Sequence, residues 1–191
     1  MKRVGTSWAQ VLPFSRKGAY YRACQVTTVN ATASTVLAVD KLYAAPLRFN
    51  ADVVIDRIGV EVTTGATAGG VARLGIYSDN DMVPGSLIVD AGEIITTATG
   101  GVEIILASPL SVSKEDIIWL AFLQGVAACQ MRAMQASGVV GALGVGSLTD
   151  LYPTCGYSKA QAYGVLPAAF PAAPLTREGN QITAVMVRIQ P

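Results

Sequence analysis

The sequence predicts an all-β protein, an antiparallel β-sandwich or barrel, and three observations support this. Apolar and polar residues alternate with a period of two through the middle of the chain. Glycine-rich turns such as GATAGG and TTATGG recur at intervals of roughly ten residues. No stretch strongly predicts a helix. The 191 residues are enough for one domain with a stable core.

The first clear strand pattern is DVVIDRIGVEVTT, residues 52–64. Its alternating apolar residues are expected to face a core and its polar residues solvent, as in an antiparallel strand with one buried face. Asp56 interrupts the alternation. The expected inward residues are Val54, Ile58, Val60 and Val62, and the expected outward residues are Arg57, Glu61 and Thr63.

Later segments continue the strand pattern. ARLGIYS, SLIVDA and GVEIIL repeat the alternation, and QITAVMVRIQ at residues 181–190 predicts that the chain finishes as a strand within the sheet. IIWLAFLQG, residues 117–125, is apolar throughout, which is typical of a central strand buried on both faces. The expected inward residues are Leu74, Ile76, Leu87, Val89, Val102, Ile104, Leu106, Ile182, Val185, Val187 and Ile189, with Arg188 outside.

Two regions differ from this pattern. Residues 1–50 are expected to be an N-terminal arm with a first short strand, STVLAV, leading into a sandwich of residues 51–191. Residues 134–180 form a long Gly/Ala/Pro-rich insertion before the last strand. Structureless loops of that length are uncommon in a compact domain, so the insertion should pack on something, such as a neighbouring subunit.

Composition excludes several classes of function. Charged residues make up 14% of the chain, against roughly 25% in an average soluble domain, which predicts that other subunits cover part of the surface. The net charge is +1 and the basic residues are scattered, so nucleic-acid binding is not expected. The longest apolar run, residues 117–129, is shorter than a membrane-spanning helix, and the start MKRVGTSWAQVLPFS lacks the apolar segment of a secretory signal.

The chain has no histidine, which removes Ser-His-Asp and Cys-His nucleophiles and His-ligated zinc or iron. Cys24, Cys129 and Cys155 are widely spaced and are interpreted as free thiols in a reducing cytoplasm. GVVGALGVGS (glycines 138, 141, 144 and 146) lacks a phosphate-binding context. Asn30-Ala31-Thr32 matches a glycosylation sequon but is interpreted as a polar lead-in to a strand. No catalytic residue, cofactor or metal ligand is therefore predicted.

Carboxylates near turns are the remaining candidates for chemistry. Within RLGIYSDNDMVPGSLIVDAG, residues 73–92, the turn Asp79-Asn80-Asp81 offers oxygen ligands but departs from the EF-hand pattern, so cation binding there stays open. We interpret the segment as a hairpin, with Leu74 and Ile76 packing against Leu87 and Val89 and with Pro84-Gly85 helping to set the turn. The candidate catalytic pairs, each close in sequence and interpreted as turn carboxylates, are Asp79 with Asp81, Asp90 with Glu93, and Glu115 with Asp116.

Aromatic residues outside the strand pattern are a last group of candidates. Such side chains either fill protein interfaces or stack on sugars, and interface packing is the favoured interpretation. The set consists of Trp8, Tyr20, Tyr21, Tyr152, Tyr157 and Tyr163.

The series IDRIGVEVTTGATAGGVARLGIYSDNDMVPGSLIVDAGEI, followed by TTATGG, VEIIL and IIWLAFLQG, resembles a module of bacteriophage tail-fibre and other virion surface proteins. The resemblance covers roughly residues 42–125 and rests on "RLGIY", on a hairpin of the form "Pg.Lv.DaG" and on a later aromatic strand. It implies a jelly-roll-like antiparallel β-sandwich and a structural or attachment role in a phage particle. It implies no catalytic residue.

These observations together predict a non-enzymatic structural protein located in a phage virion, assembled in the bacterial cytoplasm. The first hypothesis is a tail-fibre or spike component that docks on other virion proteins and contacts a host glycan or protein. The alternatives are a capsid decoration protein and a carbohydrate-binding module. Because subunits of symmetric assemblies bury much surface, a homo-oligomer is expected, with a trimer as the first hypothesis.

Overall fold

The computed structural model describes residues 15–23, 32–135, 143–149, 154–179 and 181–191. These residues are all-β, and no helix among them is long and apolar enough to cross a membrane. Thirteen strands lie in this part of the chain: β1 (Tyr20–Arg22), β2 (Thr32–Val36), β3 (Lys41–Arg48), β4 (Val53–Thr64), β5 (Val71–Asp79), β6 (Pro84–Ile95), β7 (Gly100–Val112), β8 (Ile117–Gly125), β9 (Gln130–Gln135), β10 (Gly156–Ala160), β11 (Thr176–Glu178), β12 (Gln181–Thr183) and β13 (Met186–Ile189).

Strands β2 to β9 form a jelly roll. They pair antiparallel as nested partners: β2 with β9, β3 with β8, β4 with β7, and β5 with β6. The orders β2-β9-β4-β7 and β3-β8-β5-β6 therefore give two sheets that face each other, as in a jelly roll. Strands β1, β12 and β13 extend the first sheet, and β10 and β11 extend the second. The predicted fold class is confirmed.

The main core lies between the two sheets, and the alternation locates most of it. The prediction that Val54 of β4 faces the core is wrong. Val54 is half-buried, whereas Val53 and Ile55 belong to the core. The hydrogen-bond register with β7 shifts at Asp56, the residue that interrupts the alternation. A bulge changes which face successive side chains occupy, so the pattern is out of phase before Asp56 and in phase after it.

Strand β8 is central and buried on both faces, as predicted. One face contributes Leu120 and Phe122 to the main core, and the other contributes Trp119 to a second apolar cluster outside the sheet. The closing strand is also confirmed: β13 pairs with β1 and β4, and its residues Val187 and Ile189 are buried.

The 134–180 insertion is only partly irregular, because it contributes β10 and β11 to the second sheet. Residues 161–175, here called the strap, cross the outer face of that sheet. Leu166 and Phe170 of the strap are buried there against the cluster that contains Tyr77 and Trp119. The insertion therefore packs, as expected, but the surface that it covers belongs to its own chain. Its residues 136–142, 150–153 and 180 lie outside the described part.

Two glycines inside strands leave the space that side chains of the strap occupy. A Cβ on Gly75 would lie 2.3 Å from Leu166 Cδ1, and a Cβ on Gly125 would lie 2.3 Å from the Tyr163 ring. Real Cβ atoms essentially never approach so closely, so only glycine allows the strap to lie this near to the sheet.

The predicted arm also needs correction. Residues 1–14 and 24–31 lie outside the described part, but β3 pairs with β8 on one side and β10 on the other. A strand paired on both sides is an integral part of the second sheet. The sandwich therefore begins before residue 51, where the sequence placed the boundary.

Candidate interaction surface

The carboxylate of Asp79 is part of the hairpin structure. Its Oδ1 accepts a hydrogen bond from Trp119 Nε1 at 2.8 Å, and its Oδ2 accepts one from the Met82 amide at 3.2 Å. Trp119 is fully buried, so this bond satisfies an indole N–H that has left water. Both oxygens of Asp79 thus stabilise the fold.

The hairpin turn is centred on Asp81-Met82, and Pro84-Gly85, which was predicted to help set the turn, follows it. The flanking residues Asn80 and Val83 exchange two backbone hydrogen bonds, of 2.9 and 3.3 Å. Asp81 and Met82 have φ angles of 54° and 64°, so both are left-handed, as a type I′ turn requires. Pro84 already belongs to β6.

The hairpin packing differs from the prediction at one residue. Ile76 pairs with Val89 and faces the main core, but the register then shifts, and Leu87 comes opposite Tyr77. Leu87 therefore packs against the second cluster, under the strap. The irregular register between β5 and β6 is the reason, because a one-residue shift moves a side chain to the other face.

Asp90 and Glu93 fasten the strap. Asp90 accepts two bonds from Arg73 Nε, at 2.8 and 2.9 Å, and one from the Leu166 amide at 3.3 Å. Glu93 accepts a hydrogen bond of 2.7 Å from the Tyr163 hydroxyl. Burial, followed by the bond to Glu93, raises the pKa of Tyr163. Within the described residues, no group of three or more Cys, Asp or Glu side chains could hold a metal ion.

The described aromatic residues make contacts within the chain. Tyr157 lies 5.7 Å from the Trp119 ring, and Tyr21 makes an edge contact with Phe49 at 5.7 Å. Tyr20 donates a hydrogen bond to Glu103. Trp8 and Tyr152 lie outside the described residues. The described part of the aromatic set therefore stabilises the sandwich itself.

The outer face of the first sheet carries ion pairs between strands. Arg188 Nε lies 3.0 Å from Asp56 Oδ1, and Arg132 contacts both oxygens of Glu61, at 2.7 and 3.0 Å. The bond from Arg188 lowers the pKa of Asp56, and the bond from Arg132 lowers the pKa of Glu61. Arg188 and Glu61 were predicted to point outward, but nothing in the sequence reveals their partners, 132 and 71 positions away.

The described cysteines are not reactive groups. Cys129 and Cys155 are buried, and burial raises the pKa of Cys129 and raises that of Cys155 to about 11. A thiol is nucleophilic only as the thiolate, so both are poor nucleophiles near neutral pH. Cys24 and Asn30 lie outside the described residues, as do glycines 138 and 141; Gly144 and Gly146 lie in the irregular segment 143–149.

The two ends of the sandwich differ in charge. The antiparallel topology places the connections 37–40, 65–70, 96–99 and 126–129 at one end, here called the neutral end. These connections contain one charged residue, Asp40, whose carboxylate accepts a hydrogen bond from the Tyr163 amide of the strap. The opposite end, here called the acidic end, has the connections 49–52, 80–83 and 113–116, with four carboxylates and one lysine.

Large aliphatic side chains are exposed at the neutral end. Val126 is 71% exposed, Ile95 66% and Val36 58%, and all three lie at or next to the connections of that end. Val126 has a φ of 57°, which a β-branched residue rarely adopts. The structure thus holds Val126 in a strained conformation that leaves its side chain in water.

Two shallow depressions adjoin at the acidic end and share Ser111 and Val112. The first is lined by residues that include Lys17 and Pro191. The second, here called the acidic depression, combines aliphatic lining residues with carboxylates. Its aliphatic residues include Ile88, Leu110 and Ile117, and its carboxylates are Asp79, Glu115 and Asp116.

No protein-family model matches the chain, and no curated protein matches it in sequence. The function therefore has to be inferred from the fold and from these surfaces.

Proposed function

We propose that the chain is a non-enzymatic structural protein of a bacteriophage virion, a tail-fibre or spike-type component that docks on the particle through its neutral end. The contrast between the two ends carries the proposal. The neutral end has a single charged residue in its connections and exposes Val126 and Ile95. Contact with another protein removes these apolar side chains from water and so lowers the free energy. The acidic end, whose connections hold four carboxylates, faces away from the particle.

The contacts of the carboxylates support a non-enzymatic role. A glycosidase needs two carboxyl groups facing each other across a substrate. Asp79 is hydrogen-bonded to Trp119, and Asp90 and Glu93 hold the strap. These groups stabilise the jelly roll, which agrees with a mechanical role.

The jelly roll and the resemblance of residues 42–125 to virion surface modules favour a phage particle as the location. A capsid decoration protein is the alternative within the same class, since an aliphatic end with a single charged residue in its connections also fits a capsid surface. A carbohydrate-binding module has less support, because the described tyrosines contact their own chain.

Imaging of intact particles tests the proposal. A tag on the chain should be found on the tail or on a spike at its base. Positions on the capsid lattice would favour the decoration alternative, and a chain absent from purified particles would overturn both. We expect Val126→Asp to lower incorporation into particles, because it places a charge on the docking surface. Asp81→Asn, at the opposite end, is the matched control and should be incorporated normally.

A further inference from the structure

A basic turn lies next to the acidic depression. Arg16 and Lys17 are exposed at its tip, and Lys17 lines the neighbouring depression. The turn is closed by a bond of 3.2 Å from the Ala19 amide to the Arg16 carbonyl, and the Gly18 amide donates to Ile189 at 2.9 Å. Gly18 has a φ of 73°, which suits a tight turn. The two cations are therefore held on a fixed backbone.

The acidic depression is equally well fixed. The Asp116 amide donates to the Ser113 carbonyl at 3.1 Å, and the Glu115 amide donates to the Phe49 carbonyl at 3.1 Å. Glu115 forms an ion pair of 3.2 Å with Arg48, but its side chain is 60% exposed, and Asp116 is also exposed. Both carboxylates can therefore accept bonds from a second cation.

The basic turn and the acidic depression are complementary in apolar surface as well as in charge. Lys and Arg bury their methylene stems on apolar surface while their charged groups reach polar partners. The aliphatic residues Ile88, Leu110 and Ile117 supply the apolar surface, and Glu115 and Asp116 supply the partners. Charge-assisted bonds to carboxylates are stronger than neutral ones. Among the described residues, no ion pair joins the basic turn to the acidic depression of the same copy.

We infer that copies of the chain associate head to tail, with Arg16 and Lys17 of one copy in the acidic depression of the next. The occupant of the depression is thus a second copy. The basic turn and the depression are different surfaces, so each copy offers one of each to two neighbours. Such contacts form a ring when the rotation between copies closes, and the inference is a closed ring of three copies. This inference rests on the virion role of the proposed function and on the trimer expected from the sequence, and it assigns the surface that builds that trimer.

Charge reversal with measurement of mass in solution tests this contact. The wild-type protein should have three times the mass of one chain. The pair Arg16→Glu with Lys17→Glu should shift the mass to that of one chain, and so should Glu115→Lys with Asp116→Lys. The protein that carries all four changes should be trimeric again, because the attraction is restored with its sign reversed. Arg22→Glu, a charge reversal elsewhere on the first sheet, should remain trimeric. Circular dichroism should show that every variant is folded.

Mixing the two reversed variants tests the symmetry. In a head-to-tail ring the variants must alternate, and a ring of three cannot alternate, so trimers should not return. Recovery of dimers on mixing would show two-fold pairing and overturn the inference, as would a monomeric wild-type protein or trimers of either reversed variant. None of these outcomes depends on the position in the particle, so a chain located on the virion but monomeric would overturn this inference alone.

Discussion

Replacing Gly125 by alanine should loosen the strap. The new Cβ would lie 2.3 Å from the Tyr163 ring, whereas ordinary contacts begin at 3.4 Å, so the ring has to retreat by about 1 Å. Tyr163 is tied by its amide to Asp40 and by its hydroxyl to Glu93, and this limits the retreat. Overpacking of this kind costs about 2 kcal/mol, which lowers the melting temperature of a chain of this length by about 4–8 °C.

Thermal unfolding followed by circular dichroism measures this loss, and limited proteolysis with chymotrypsin shows where it occurs. Cleavage after Tyr163, which lies in the strap, should become faster in Gly125→Ala. The control for thermal unfolding is Gly164→Ala, the same change within the strap, where a Cβ would meet no atom within 4 Å. Because residue 164 forms the bond that chymotrypsin cleaves, the control for proteolysis is the wild-type protein. A Gly125→Ala protein as stable as Gly164→Ala and as resistant to chymotrypsin as the wild type would refute the role assigned to the strap.

Three further predictions concern the turn, the ion pairs and the thiols. Met82→Gly should stabilise the protein by about 0.5–1 kcal/mol in urea unfolding, because glycine adopts φ > 0 without strain; a loss of stability would contradict the type I′ assignment. Because Arg188 lowers the pKa of folded Asp56, this pair contributes stability above the unfolded-state pKa of about 4 and loses it as the pH falls through the folded-state pKa. Asp56→Asn should therefore make the unfolding free energy fall less steeply as the pH is lowered below about 4, and an unchanged dependence on pH would count against the ion pair. The folded Cys24→Ser protein should resist modification by iodoacetamide at pH 8, whereas unfolding in urea should expose Cys129 and Cys155 to the reagent. Rapid labelling of the folded protein would show that these two thiols are accessible and not buried.

The proposed virion role and the proposed docking end depend on different features of the chain. The virion role follows from a sequence resemblance and is supported by the contrast between the ends, which only the topology reveals. Residues such as Val126 and Ile95 are far apart in sequence and carry no motif. They come to one end because the jelly roll returns every second connection to the same side.

Local chemistry made much of the fold predictable. Period-two alternation located the strands and the buried β8, since side chains on successive strand residues point to opposite faces. The absence of histidine removed whole classes of catalysis before any geometry was known. Where the prediction failed, at Val54 and Leu87, a bulge or register shift had changed the phase, and such shifts depend on the partner strand.

The long-range contacts were decided by the tertiary structure alone. Gly75 and Gly125 appear in the sequence as glycines inside strands, but the residues that need their space, Leu166 and Tyr163, lie 91 and 38 positions further along the chain. The acidic hairpin could be recognised as a turn from its composition, yet the bond from Trp119 that fixes Asp79 required the strands to be paired. Alternation indicates which face of a strand a residue occupies, whereas contact between distant segments depends on register and topology. The fold class could therefore be predicted from the sequence, but the strap and the difference between the two ends could not.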